Sequence, residues 1–241
     1  MKRLVLFVMA LVAVCIMPSC EKDPKPGDIG NTVTGTLNGH DYVDLGLPSG
    51  TLWATCNIGA TTPEGYGDYF AWGETEPKDY YEWSTYKYCN EGNWTGLTKY
   101  CSSNSFGYLH FIDDLTVLEA VDDAATANWG SGWCMPTEDQ WEELCQNTSN
   151  SWTTQNGING RLFTASNGNT LFLPAAGNRW ESNINLTNSF DDSGFGNYWS
   201  NSLYLRIPDG AVYFQFSPND FKVFYDARSR GCSVRPVHPA K

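Results

Sequence analysis

Apolar and polar positions follow a helical period most clearly in residues 132–144, the segment GWCMPTEDQWEEL. Thr137 follows a proline and precedes Gln140 by three residues, which is the capping-box spacing of a helix N-terminus. Acidic residues occupy the first turn, where the helix dipole stabilises them. Trp141 and Leu144 are three residues apart and therefore lie on one face. The segment thus predicts a short, well-capped amphipathic helix.

Short apolar runs bounded by turn residues predict strands in much of the remaining chain. A second helix is predicted in TVLEAVDDAATANWG, beginning near Asp122 or Asp123 and ending at Gly130. Together these elements predict an α+β domain in which two helices cover one side of a meandering antiparallel sheet, with long ordered loops. The predicted strands are YVDLGL, TLWATCNIG, GRLFTA, NTLFLPAAG, YWSNSLYL, GAVYFQFS, KVFYDA and CSVRPV.

The N-terminus has the pattern of an exported lipoprotein. Lys2 and Arg3 precede an apolar run over residues 4–17, which has the length of a signal-peptide core and is too short to span a bilayer well. The run ends in IMPSC, which resembles the lipobox in which the cysteine, here Cys20, is acylated. An ordinary secretory signal with an incidental cysteine is the alternative. We therefore expect a signal peptide over residues 1–19, a flexible tether over residues 20–36 and one domain over residues 37–241.

Charge and composition restrict the partners. Without the signal peptide, 13 basic residues remain against 27 acidic ones, so the net charge is −14. This balance argues against a nucleic-acid partner, because few basic side chains could neutralise phosphates. Charged residues are scarce, at 17%, whereas 15% of residues are aromatic. That composition suits short twisted strands joined by ordered loops.

Six cysteines follow Cys20, and export makes disulfides possible. Cys89 and Cys101 flank one loop and form the most plausible local pair. No CxxC or cysteine–histidine spacing indicates zinc, and we expect no metal and no cofactor. Adjacent loop acids such as Asp191 and Asp192 could serve calcium or acid–base chemistry, but such acids are more often solvated.

The C-terminal strands carry the candidate binding residues. In GAVYFQFS, apolar Val212, Phe214 and Phe216 alternate with Tyr213, Gln215 and Ser217, so that one set faces the core and the other does not. The following FKVFYDARSRG is crowded with aromatic and basic residues. Such side chains on a rigid sheet suit stacking on sugar rings or a protein contact. The alternative is that half of these aromatic residues are core.

Several segments in a fixed order carry a family resemblance that runs from about residue 40 to 237. The chain resembles the Fibrobacter succinogenes major paralogous domain, which is abundant in exported Bacteroidetes lipoproteins and is similar to the formylglycine-generating-enzyme branch of C-type-lectin-like folds. The CEKD sequence at Cys20 also resembles the signal that sends such lipoproteins to the outer face of the outer membrane. The segments are VDLGLPSGTLWATCNIGATTPEGYGDYFAWGET, DDAATANWGSGWCMPTEDQWEEL, TTQNGINGRLF, LPAAGNR, GNYWSNS and GCSVRPV.

The resemblance implies a C-type-lectin-like fold in which the capped helix is a scaffold packed against the sheet. The enzymes of this fold use a pair of redox-active cysteines late in the chain, but only Cys232 follows Cys145 here. Cys134 and Cys232 occupy positions that differ from the family pattern, and they could pair or remain free thiols. In related variable proteins these C-terminal strands hold the ligand-contacting positions. That arrangement corresponds here to Tyr204, Tyr213, Gln215, Ser217, Lys222, Phe224 and Tyr225.

No catalytic constellation is recognisable, since His40, His110 and His238 lie far apart in the sequence and outside any triad or metal motif. We therefore expect a non-enzymatic, monomeric, adhesin-type binding module on the outer membrane, with a glycan or a host or bacterial surface protein as ligand. The alternatives are a divergent enzyme of the formylglycine-generating type and a structural subunit of a surface assembly.

Overall fold

The computed structural model describes residues 31–188 and 191–240. The described residues form two α-helices, α1 (Ala124–Trp129) and α2 (Glu138–Asn147), and two 3-10 turns, Trp83–Thr85 and Tyr108–His110. The strands are β1 (Gly35–Leu37), β2 (His40–Asp44), β3 (Leu52–Ala54), β4 (Tyr69–Phe70), β5 (Thr148–Gln155), β6 (Ile158–Ala165), β7 (Thr170–Pro174), β8 (Asn178–Trp180), β9 (Asn183–Asn185), β10 (Thr187–Asn188), β11 (Asp191–Gly194), β12 (Gly196–Leu203), β13 (Gly210–Phe216), β14 (Phe221–Ala227), β15 (Cys232–Ser233) and β16 (Val237–His238).

Both predicted helices are confirmed, and local capping explains their bounds. The Asp123 carboxylate accepts a hydrogen bond from the Thr126 N–H at 2.9 Å and begins α1, which ends at Gly130 with φ of 84°. At α2 the Thr137 hydroxyl accepts from the Gln140 N–H at 3.1 Å, and the Gln140 side chain accepts from the Thr137 N–H at 2.9 Å. The capping box read in the sequence is therefore present.

Helix α2 packs its apolar face onto the C-terminal sheet, as expected for a scaffold helix. Trp141 and Leu144 are fully buried. The Trp141 ring stacks on Phe214 of β13, with 4.9 Å between ring centroids, and lies 4.7 Å from Trp53 of β3. The helix therefore joins two sheets through one aromatic cluster.

The sheets are more divided than the single antiparallel meander that we predicted. A five-stranded sheet has the order β14-β13-β12-β15-β4, a four-stranded sheet β1-β2-β3-β16 and a three-stranded sheet β5-β6-β7, and β8–β9 and β10–β11 form two-stranded units. Within the five-stranded sheet β12 and β15 are parallel. The predicted strand CSVRPV splits between two sheets, because Pro236 has no N–H to continue a ladder.

The five-stranded sheet is covered on both faces, which places the core on each side of β13. One buried cluster contains Trp72, Trp199 and Tyr213, and the other contains Trp141 and Phe214. The α+β, sheet-rich class is as predicted. The finding that β13 is buried on both faces changes the interpretation of its alternating pattern.

The N-terminal predictions lie mostly outside the described residues, including the signal peptide over residues 1–19 and Cys20. Within the range expected to be tether, Asn31 donates to the Thr55 carbonyl at 2.5 Å, and β1 already begins at Gly35. Residues 31–36, expected to be tether, therefore already contact the folded domain. In the described ranges, the helices are too short or too polar to cross a membrane.

Candidate binding site

A concave pocket of about 630 Å³ lies on the outer part of the five-stranded sheet. Strands β12, β13 and β14 supply one side, and the β8–β9 hairpin supplies the other. We call it the C-terminal pocket. Its volume is in the range of pockets that hold small molecules.

The floor of the C-terminal pocket holds two buried polar side chains with unused hydrogen-bonding groups. Tyr213 is 4% exposed and Asn197 is 1% exposed. The Asn197 Oδ1 accepts from the Gln215 Nε2 at 3.3 Å. Among the described residues, neither the Tyr213 hydroxyl nor the Asn197 Nδ2 has a hydrogen-bond partner. Both residues line the pocket, so these two groups are free to bond a ligand there.

An aromatic wall is provided by Trp180 at the end of β8. Its indole remains 46% exposed and is therefore accessible to a ligand. The guanidinium of Arg230 lies over the ring at 4.0 Å from the centroid, and the indole Nε1 donates to Glu82. These two contacts fix the plane of the ring at the pocket wall.

The charged groups of the pocket balance each other. Arg230 Nε donates to Asp226 Oδ1 at 3.0 Å, and Lys222 and Asp220 complete the rim. Burial raises the pKa of Asp226, and Arg230 opposes this effect. Burial and the Asp226 carboxylate both raise the pKa of Tyr213, so its phenol stays protonated and can donate a hydrogen bond.

The predicted binding residues are divided between two sites. Tyr213, Gln215, Ser217 and Lys222 line the C-terminal pocket. Tyr204 and Phe224 line a smaller cavity of about 380 Å³, and the Tyr225 ring stacks on Tyr204 with 3.9 Å between centroids.

The structure differs from two expectations, that Tyr213 faces away from the core and that Tyr225 and Lys222 belong to one binding face. Tyr213 is buried, because β13 is covered on both faces. Tyr225 faces away from Lys222, because it pairs with Val212 whereas Lys222 pairs with Gln215 on the other face. The expected burial of Val212, Phe214 and Phe216 is confirmed.

The sequence did not reveal most of the pocket lining. The hairpin segment NRWESNIN has no apolar alternation and was not predicted to form strands. Its single aromatic residue among polar ones was the only local signal. The lining residues that were not predicted are Asn178, Trp180, Asn185, Thr187, Phe195, Asn197, Asp220, Phe221, Asp226 and Arg230.

The predicted Cys89–Cys101 disulfide is absent, and for Cys134 and Cys232 the free-thiol alternative is the one observed. Cys89, Cys101, Cys134 and Cys232 are all free, so neither the Cys89–Cys101 bridge nor a Cys134–Cys232 bridge is formed. The Cys89 thiol instead donates to the Asn93 carbonyl at 2.9 Å and the Cys101 thiol to the Ser103 carbonyl at 3.1 Å, so each thiol is held within its own loop.

Potential metal ligands are dispersed. Over the described part of the chain, no group of three or more His, Cys, Asp or Glu side chains is placed to hold a metal ion. The side chains of Asp191 and Asp192 lie outside the described residues.

Comparison with known proteins gives no relative: no protein-family model, curated protein or solved structure matches this chain.

Proposed function

We propose that the chain is a surface-tethered, non-enzymatic, lectin-like module that binds a glycan in the C-terminal pocket. The observation that carries the proposal is the combination of a half-exposed indole wall with unpaired hydrogen-bonding groups on the pocket floor. A protein ligand, the other expectation from the sequence, is less well supported, because a concave pocket of about 630 Å³ suits a small ligand better than a flat protein surface.

The chemistry of sugars explains this fit. A pyranose ring has an apolar face of C–H groups, which packs on an aromatic ring, and hydroxyl groups at its edge, which both donate and accept hydrogen bonds. Trp180 offers the aromatic ring. The Tyr213 hydroxyl, the Asn197 and Gln215 amides and the Asp226 carboxylate offer donors and acceptors below it.

The charge of the pocket favours an uncharged sugar. Lys222 and Arg230 contribute two positive charges, and Asp220 and Asp226 two negative ones. Neither a carboxylated nor an aminated sugar would meet a net opposite charge there.

The proposal includes a C-type-lectin-like fold and an outer-membrane location. The ordered segments that resemble the Fibrobacter succinogenes major paralogous domain support a C-type-lectin-like fold. The basic residues, the apolar run and IMPSC before Cys20 support acylation and an outer-membrane location with the domain facing outward. A lectin at the end of a tether could reach glycans on neighbouring surfaces.

A glycan array probed with the full-length protein in mild detergent tests the proposal. Wild type should bind a restricted set of neutral glycans, and Trp180→Ala should lose most of that signal. Trp94→Ala is the matched control, because Trp94 is 49% exposed, packs on Phe106 and lies outside the pocket. Losing a stacking anchor costs about 2 kcal/mol, or about 30-fold in affinity.

The control should bind as wild type does. Equal binding by wild type and Trp180→Ala, or no glycan bound by wild type at any concentration tested, would contradict the proposal. Equal loss in both tryptophan variants would place the binding outside the C-terminal pocket.

A further inference from the structure

Strand β14 lies at the edge of the five-stranded sheet. It pairs with β13 along all seven residues from Phe221 to Ala227, and no strand within the described ranges pairs with its other side. Such an edge presents a row of backbone N–H and C=O groups that can pair with another strand.

The side chains of β14 form two strips. Lys222, Phe224 and Asp226 share one face, because alternate residues of a strand point the same way. Phe224 is 46% exposed, and the Lys222 Nζ lies 4.7 Å from the centroid of its ring. Val223 and Tyr225 lie on the opposite face. One strip therefore runs basic, aromatic, acidic, and the other is apolar.

We propose that β14 pairs antiparallel with β14 of a second copy of this chain, centred on Phe224. In that register Lys222 lies opposite the partner's Asp226 at both ends, Phe224 lies opposite its own copy, and Val223 lies opposite the partner's Tyr225. Each pair is of opposite charge or apolar, and such cross-strand pairs stabilise antiparallel strands.

Charge selects this register over its neighbours. An alternative register must move the centre of the β14–β14 pairing by a whole residue, because each strip then stays on its own face of the sheet. Centring on Val223 would place Asp226 opposite the partner's Asp220. Centring on Tyr225 would place Lys222 opposite the partner's Arg228, whose side chain is fully buried and cannot reach it. The first shift pairs like charges, and the second loses both Lys222–Asp226 pairs, so neither register is as stable.

Asp226 can pair with the partner's Lys222 while it remains hydrogen-bonded to Arg230. Its Oδ1 accepts from Arg230 Nε and from the Ala227 N–H. Its Oδ2 has no hydrogen-bond partner among the described residues and can receive the partner's Lys222.

If glycans bind in the C-terminal pocket, as proposed above, the dimer carries two binding sites. The twofold axis of an antiparallel strand pair is perpendicular to the sheet, so the same face of both copies points the same way. Both C-terminal pockets would open side by side on one surface. Two weak sites on one assembly bind a multivalent glycan far more tightly than one. This dimer replaces the monomer expected from the sequence.

Cysteine crosslinking of the full-length protein in mild detergent tests the register. In an antiparallel pair, directly opposed Cα atoms are about 4.5–5.5 Å apart, which a disulfide can bridge. Phe224→Cys should therefore form a disulfide-linked dimer under mild oxidation. Lys222→Cys is the control, because its copy lies four residues along the strand, about 13 Å away. An equimolar mixture of Lys222→Cys and Asp226→Cys should crosslink, and neither variant should do so alone.

A second measurement does not depend on cysteine chemistry. Lys222→Glu places like charges opposite each other at both ends and should weaken the dimer at least tenfold in a dilution series followed by native mass spectrometry. Wild type that stays monomeric at all concentrations, together with a Phe224→Cys variant that forms no crosslinked dimer, would overturn the proposal. Crosslinking of Lys222→Cys to itself would also overturn it. Glycan binding by a monomeric protein would leave the proposed function intact.

Discussion

Replacing Asp122 with asparagine should remove a defined, pH-dependent part of the stability. Asp122 is almost fully buried just before α1. Its carboxylate accepts hydrogen bonds from the Tyr88 and Tyr100 hydroxyls and from the Lys99 and Lys87 ammonium groups. These residues are spread over some 35 positions of loop, so the carboxylate ties together a region with little regular structure.

The magnitude follows from the ionisation of this group. Burial alone would raise the pKa of Asp122, but the hydrogen bonds from Lys99, Tyr88, Tyr100 and Lys87 outweigh it and lower the pKa from 3.8 to about 2. A pKa that is lower in the folded state means that ionisation favours folding. The contribution is about 2 kcal/mol, is fully present above the unfolded pKa of 3.8 and is lost as the pH falls through about 2.

Denaturant unfolding between pH 2 and pH 7 measures this contribution. Asp122→Asn should be destabilised by about 2–3 kcal/mol at pH 6, since the charge-assisted hydrogen bonds are lost while the lysines can still reach solvent. The difference from wild type should shrink as the pH approaches 2. Asp79→Asn, at an exposed aspartate, is the control and should stay within about 0.5 kcal/mol of wild type. A difference that is independent of pH would refute the reasoning.

Three further predictions test the pocket, the core and the lipid anchor in turn. Tyr213→Phe should leave the melting temperature nearly unchanged, because the hydroxyl makes no hydrogen bond within the described part of the protein. The same change should weaken glycan binding about 5- to 10-fold, and an unchanged affinity would exclude that hydroxyl from the site. Phe214→Ala should cost about 3–5 kcal/mol of unfolding free energy in denaturant titrations, because Phe214 is fully buried against Trp141; a loss below about 1 kcal/mol would contradict this packing. Cys20→Ala should abolish incorporation of labelled fatty acid, and labelling that persists would disprove acylation at Cys20.

Elements encoded by local contacts were predictable from the sequence. The cap of α2 depends on Thr137 and Gln140, which are three residues apart, and both side-chain bonds are formed. The end of α1 at Gly130 likewise depends on one glycine with positive φ. Strand β5 was missed because TSNSWTTQ is polar, although all eight of its residues pair with β6. Its stability comes from the neighbouring strand, which the sequence pattern does not reveal.

Of the candidate site, only residues contributed by the C-terminal strands could be predicted. Alternation in GAVYFQFS separates two faces correctly but cannot show that loops distant in sequence cover the second one. Tyr213 packs with Trp199 and Trp72 in the same cluster, and the strand pattern gives no sign of that cover. Trp180 reaches the pocket through the fold of a polar hairpin. Sites of this kind depend on contacts between segments distant in sequence.

A structure of the full-length protein bound to a glycan identified on the array tests the central claim most directly. We predict a sugar ring in the C-terminal pocket that packs on the Trp180 indole, with about 4 Å between the two rings. Its hydroxyl groups should bond to Tyr213 and to Asn197 or Asp226. A sugar bound elsewhere on the domain, with the C-terminal pocket empty, would contradict it.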